Sequence, residues 1–329
     1  MSLNRRQLIG TAAAASAGLL ASPGLSWAQA TSDYPKLPFN FVKFVTASSP
    51  GGGMDLFLRE FSKFLMPRTG LTTAVESITG AGGAKALAYM TSEKADGSIL
   101  FGTTPTYVNI ALLTNAQFSY KTLQTVANLF MDPQLAYVRA DSPFQDLKQV
   151  VAFAKKNPGK IRWSTAGPAN LDRQAVEKFK RVADVNLIAA SNTSGAEIML
   201  SVLSGAAELG MGEVQELSGQ VEAGKLRIIS SFTEQRLARY PEVPTAREQG
   251  YDVVARKFRG LAAPKGVPEA VLNTWDEICR KLMDEPDFKA WQVAGGLIPA
   301  FMDHKKYAEF VNTYAAESEA YYREMGIVK

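Results

Sequence analysis

Five short stretches of small and hydroxyl-bearing residues have the make-up of anion-binding turns. They are Ser48-Ser49-Pro50-Gly51-Gly52-Gly53, Gly80-Ala81-Gly82-Gly83, Thr104-Pro105-Thr106 after Thr103, Ala166-Gly167-Pro168-Ala169-Asn170 after Thr165, and Asn192-Thr193-Ser194-Gly195. Each follows a β-rich run and precedes a run with helical periodicity. The first backbone N–H groups of a helix have no intrahelical partner and sit at the positive end of the helix dipole. Glycine lets the backbone approach a ligand closely. The chemistry such turns suit is the binding of a carboxylate or a similar anion. Any one of them serves equally well as a tight strand-to-helix connection. Five of them, all at the carboxyl ends of strands, point to a shared site.

Catalytic chemistry finds little to work with. The chain holds one histidine, His304, and one cysteine, Cys279. Serine–histidine and cysteine–histidine mechanisms, and histidine zinc sites, need a histidine near the other players. A lone cysteine excludes an internal disulfide and thiolate clusters. A metal site built only from carboxylates stays open, but no metal or cofactor is expected. Pro50-Gly51-Gly52-Gly53 has neither the Gly-Lys-Ser/Thr of a P-loop nor G-x-G-x-x-G spacing. Ser194-Gly195 does not belong to a G-x-S-x-G elbow. An enzyme acting on a carboxylate or amino acid would have to rely on Asp55, Glu197, Glu213 or a lysine.

Individual side chains have two readings each. Asp55 is either a first-turn acid bonding backbone N–H groups or a ligand contact. Arg173, beside Asp172 early in a helix, is either a solvated helix residue or a bidentate partner for a carboxylate. Lys257 and Arg259 flank Phe258 in a strand-like run, and alternation puts both cations on one face, which reads as surface. Leu129-Phe130-Met131 reads as core or hinge.

The elements that must position these turns alternate strand and helix. Phe39–Thr46 is followed by Met54–Leu65, with Leu56, Phe57, Phe61, Phe64 and Leu65 at helical spacing. Thr72–Ser77 leads to a helix ending near Thr91, and Ser98–Thr103 to another helical start. Lys160–Thr165 leads to the amphipathic Leu171–Val182, and Leu187–Ala190 to a helix from Ala196. The pattern predicts an α/β protein with mainly parallel sheet. Lys305–Tyr322 reads as an amphipathic terminal helix.

With 329 residues, 46% hydrophobic and 21% charged, the chain suits one large domain or two lobes. Its formal charge is +4; Arg5 and Arg6 lie in the first 30 residues with no acid, so 4 − 2 = +2 remains. A charge that small does not call for nucleic acid. The first 30 residues read as an export signal. Arg5-Arg6 precede the apolar run Leu8–Leu20, which is too short to span a membrane, and Ala28-Gln29-Ala30 is an A-x-A site with cleavage expected after Ala30. Arg5-Arg6-Gln7-Leu8-Ile9 has the twin-arginine form, with ordinary Sec export the alternative.

The motifs, in this order, resemble the Bug family, the solute-binding receptors of tripartite tricarboxylate transporters. Pro50-Gly51-Gly52-Gly53-Met54-Asp55 resembles the family's P-G-G-x-x-D, and Gly80-Ala81-Gly82-Gly83 its G-A-G-G. Ala95-Asp96-Gly97-Ser98-Ile99-Leu100, Asn157-Pro158-Gly159-Lys160 and Gly224-Lys225-Leu226-Arg227 resemble its A-D-G-Y-T-L, P-G-K and G-K-L-R. Pro241-Glu242-Val243-Pro244-Thr245 with Glu248 and Gly250, then Ala263-Pro264-Lys265-Gly266-Val267-Pro268, are similar to P-E-V-P-T-x-x-E-x-G and A-P-x-G-x-P.

The resemblance implies a two-lobed periplasmic binding protein of the Venus-flytrap kind that captures a small carboxylate for a transporter's membrane subunits, as a monomer and without nucleic acid. The implied layout is residues 31–130 for the first part of lobe 1, 131–231 for lobe 2, and 232–329 for the return of lobe 1 with C-terminal helices. A receptor feeding a sensor protein is the alternative within that class. Matching residues place Gly51, Gly52, Gly53 and Asp55 in the first ligand loop, Thr165, Ala166 and Gly167 in the lobe-2 loop, and Thr193, Ser194 and Gly195 in the next; Thr103 and Thr104 join them as the third turn. The chain departs from the pattern at Gly167-Pro168-Ala169-Asn170, where the family has G-x-G-S/T and then histidine. Asn170 or Arg173 is expected to replace the missing donors, so Arg173→Ala should weaken binding.

Overall fold

The computed structural model describes residues 33–114 and 119–328, so the expected export signal and its cleavage site lie outside the described residues. The chain opens with β1 (Phe41–Thr46), α1 (Gly53–Thr69), β2 (Thr72–Ser77), α2 (Ala84–Ser92), β3 (Ile99–Thr103), α3 (Pro105–Thr114) and β4 (Leu123–Asp132). It continues with β5 (Leu135–Arg139), α4 (Leu147–Lys156), β6 (Arg162–Thr165), α5 (Leu171–Val182), β7 (Ile188–Ser191), α6 (Gly195–Leu203), β8 (Leu209–Gly212), α7 (Val214–Glu222) and β9 (Leu226–Ser231). It ends with β10 (Lys257–Pro264), α8 (Glu269–Asp284), α9 (Pro286–Ala294), β11 (Ile298–Met302) and α10 (His304–Glu324).

Two sheets organise two lobes. The first runs β11-β4-β10-β3-β1-β2 and the second β7-β6-β8-β5-β9. The α/β two-lobed class holds, but the sheets are mixed where the alternating pattern predicts mainly parallel ones. β1 pairs parallel with β2 and β3, and β6 parallel with β7 and β8. Two of the reversals come from strands that have crossed between lobes; β11, which follows β10 through α8 and α9, is also antiparallel to β4. β10 returns from the second lobe and inserts between β3 and β4, antiparallel to both. β5 arrives from the first lobe and inserts between β8 and β9, antiparallel to both.

Each sheet has its own apolar core. Helix α1 buries Phe57, Leu58, Phe61 and Leu65, at helical spacing, and stops at Gly70, whose left-handed φ of 72° closes the end. Phe57 meets Phe130 edge to face at 5.0 Å, and Phe61 meets Phe44 at 5.8 Å. Each such side chain adds roughly 1.5–3 kcal/mol by leaving water. In the second lobe Trp163 packs on Phe179 at 5.3 Å and on Phe232 at 6.2 Å. Phe232, Ala246, Val253 and Ala255 all bury in this second core. The return to the first lobe, placed at 232 by sequence, therefore comes later: the chain rejoins the first sheet at β10, from Lys257. Cys279 is buried in the first core. His304 ties α10 to α8, with Nδ1 2.5 Å from an Asp276 carboxylate oxygen and its backbone N–H donating to Asp276 at 2.9 Å.

Candidate functional site

The crossing strands bring charge to the lobe junction. Lys257 of β10 is in register with Asp132 of β4, and Gln134 follows on the crossing into β5. Arg259, only 3% exposed, donates from Nε (2.9 Å) and Nη2 (2.6 Å) to one oxygen of Asp132. Its Nη2 also lies 3.4 Å from Glu213 Oε2. The Glu213 carboxylate belongs to the second lobe and reaches across. Its Oε1 accepts from Lys257 and, at 3.0 Å, from Gln134 Nε2. Burial works to raise the Glu213 carboxyl, but Lys257 and Arg259 outweigh it and hold it at about 2. The surface face read for Lys257 and Arg259 is thus a paired cluster, with Arg259 buried and Lys257 half-buried, because acids distant in sequence cover it.

The first glycine turn abuts this cluster. Gly52 is the N-cap of α1 and no side chain caps the helix. The Gly51 N–H donates to Asp55 Oδ2 at 2.9 Å and the Gly52 N–H to the Ser49 carbonyl at 2.9 Å. Gly53, Met54 and Asp55 form the first turn, whose N–H groups have no intrahelical acceptor. A Cβ on Gly53 would stand 2.7 Å from Arg259 Nη2 and 2.9 Å from Glu213 Oε2. Glycine is therefore what lets this terminus reach the charged groups. Asp55 is engaged by Arg59 at 2.9 Å through both carboxylate oxygens. Burial acts against its ionised form, yet Arg59 and the Gly51 N–H prevail and lower its pKa.

The second-lobe turns arrive from the other side. Ser194 accepts from the Glu197 N–H at 3.3 Å while Glu197 Oε2 accepts from the Thr193 N–H at 2.8 Å, a reciprocal cap on α6. A Cβ on Gly195 would stand 2.5 Å from Glu216 Oε1, so the Glu216 carboxyl sits against the start of α6. Burial, with Glu213 beside it, pushes Glu216 up to about 8. Asp172 Oδ2 accepts from the Ala166 N–H at 2.5 Å, and burial raises its pKa.

Other turns meet directly across the lobes. Thr106 Oγ1 donates to Asn170 Oδ1 at 2.9 Å, and Asn109 Nδ2 donates to the Ala169 carbonyl at 3.0 Å. Gly167 accepts from the Asn170 N–H, and Thr165 Oγ1 donates to the Ala166 carbonyl. Thr103 Oγ1 lies 2.6 Å from the Tyr307 hydroxyl and Thr104 Oγ1 accepts from the Thr106 N–H, so both hydroxyls have protein partners. Arg173 bonds Glu177, the Ala189 carbonyl and Ser191 of its own lobe, which braces α5 on β7.

Gly53 and Gly195 are thus brought to the charged cluster. Asn170 lies at the interlobe seam, and Thr103 and Arg173 are held in structural bonds. Asp132, Gln134, Tyr137 and Glu216 carried no motif. The available signal was charge inside apolar strands, as in Phe130-Met131-Asp132 and Phe258-Arg259-Gly260-Leu261, since charged groups are seldom buried unless paired.

The model of the tripartite tricarboxylate transporter family receptor matches residues 58–327, starting just beyond the first glycine turn. A Cupriavidus necator relative, the UPF0065 protein in gbd 5'region, is 28% identical over 319 residues, covering 97% of this chain and 95% of its own. The solved periplasmic binding protein BugD superposes with a TM-score of 0.80 at 21% identity, covering 90% of this chain and 100% of that one. An R. palustris protein solved with adipate gives a TM-score of 0.82 at 19% identity, covering 88% and 99%. At these identities the two structures speak for the fold.

Proposed function

The chain belongs to the tripartite tricarboxylate transporter receptor family, and from that premise we propose that it is a monomeric periplasmic receptor that holds a small carboxylate between its lobes. The leader ending at Ala30 directs export, and no bond of the solute is made or broken. The observation that carries the reading is the uncapped start of α1, with Gly53 set against Arg259 at the lobe junction. A carboxylate there accepts first-turn N–H bonds, each worth about 1.5–3 kcal/mol net when the acceptor is charged. The helix dipole adds about 0.3–1 kcal/mol. A few such terms approach the roughly 8 kcal/mol of micromolar binding. The R. palustris neighbour solved with adipate supports a carboxylate as the cargo class. The crossings at Asp132–Leu135 and Ala255–Lys257 serve as hinges, and a solute touching both lobes favours the closed form. The transporter's membrane subunits then read that form.

Calorimetry against a panel of organic acids and amino acids tests this. At least one member should bind the native receptor. Gly53→Ala should weaken it tenfold or more, because the new methyl forces Arg259 and Glu213 apart. Full affinity in Gly53→Ala would remove the start of α1 from the site.

A further inference from the structure

At the lobe junction the acids outnumber the cations. Glu213 acts on each of the other three carboxyls there, those of Asp132, Asp172 and Glu216; Lys257 acts on all four, and Arg259 on all but Asp172. Both cations are already engaged, Arg259 by Asp132 and Glu213, and Lys257 by Glu213. Among the described residues, no cation lies within ion-pair distance of Asp172 or Glu216.

A second, independent observation concerns unused acceptors. Asp132 Oδ1, Gln134 Oε1 and the Tyr137 hydroxyl are buried with no hydrogen-bond partner. Asp132 is fixed by its other oxygen on Arg259, and Gln134 by its Nε2 on Glu213, so both spare oxygens lie at the cluster. The Tyr137 ring packs on Gly210 and Gly212, and Glu216, Glu213 and Asp172 all act on its hydroxyl. The junction therefore offers buried acceptors without partners, and what it lacks is a further donor. An ammonium has three donors and no acceptor.

We infer that the solute carries an ammonium group as well as its carboxylate, with Glu216, Asp132, Gln134 and Tyr137 receiving the ammonium while the start of α1 receives the carboxylate. This rests on the receptor reading above and narrows it. The second carboxylate of a di- or tricarboxylate would add acceptors where acceptors already lack donors, which selects against it. The surplus acids are held toward their neutral forms by burial, Glu216 at about 8. An arriving ammonium draws Glu216 into its charged form and expels a proton.

Calorimetry on the full mature receptor with matched probes decides the matter. The pairs are succinate against aspartate, glutarate against glutamate, and butanoate against 4-aminobutanoate and 2-aminobutanoate. In at least one pair the amine-bearing probe should bind tenfold or more tighter, releasing a proton when heats are compared in phosphate and Tris near neutral pH. Glu216→Gln should cut that preference below threefold and abolish the proton release. Tyr137→Phe, a milder change, should also reduce the preference. Deaminated acids that bind as tightly as their partners would overturn the ammonium assignment and leave the receptor reading standing. Failure of every probe, with and without the amine, would overturn both.

Discussion

A buried carboxyl with raised pKa leaves a mark on stability, and Glu216 supplies the case. The groups facing it are Glu213, the N-cap of its own helix, Lys257 and Arg259 of β10, Tyr137 of β5 and the start of α6. Its folded value of about 8 lies above its ordinary 4.5, so between those values the folded chain holds the extra proton. Stability from this group is full below about pH 4.5 and is lost as pH rises through 8. One proton gives a slope of at most about 1.4 kcal/mol per pH unit. Glu216→Gln removes the titration. Urea unfolding at several pH values between 5 and 8 should show the variant gaining on the native protein as pH rises; parallel curves would place the Glu216 carboxyl in water. Nothing in the sequence marks Glu216, whose pKa is raised by burial and by Glu213. Arg259 was visible but misread. Alternation gave its face, whereas the acids that cover it lie 127 and 46 residues away, at Asp132 and Glu213.

Helices and strands were far more legible, because their signals are local. The apolar spacing gave Leu171–Val182 as α5 with the same ends, and Thr72–Ser77 as β2. Strand direction was not legible, since β5 and β10 take their sense from crossing between lobes. The turn before α6 shows how one sequence signal serves two ends. Ser194 with Glu197 three residues later has capping-box spacing; Ser194 accepts from the Glu197 N–H, while Glu197 reaches one residue past the N-cap to the Thr193 N–H. Ser194→Ala should therefore cost about 1 kcal/mol of stability while affinity for the cargo stays within twofold. Urea unfolding and calorimetry on the same preparation separate the two effects. A tenfold loss of affinity with stability intact would return Ser194 to the ligand.

At the scale of the molecule, affinity depends on how readily the lobes close. Glu213 of the second lobe pairs with Lys257 and Arg259 of the first, and Asn170 accepts from Thr106 across the same junction. These bonds favour the closed arrangement by themselves, so part of the binding energy resides in protein–protein contacts that the cargo does not make. The Thr106–Asn170 bond isolates that share, because its neighbours on α3 are not at the charged cluster. A neutral hydrogen bond contributes about 1 kcal/mol, or roughly fivefold in an equilibrium. Thr106→Val should shift the empty receptor toward the open form and increase its radius of gyration in small-angle scattering. Affinity should fall by up to about fivefold, the share set by how far the empty receptor is already closed. Saturating cargo should restore the compact form. If the radius stays that of the native protein and affinity is unchanged, the seam between α3 and the start of α5 persists in the open state, and closure does not turn on it.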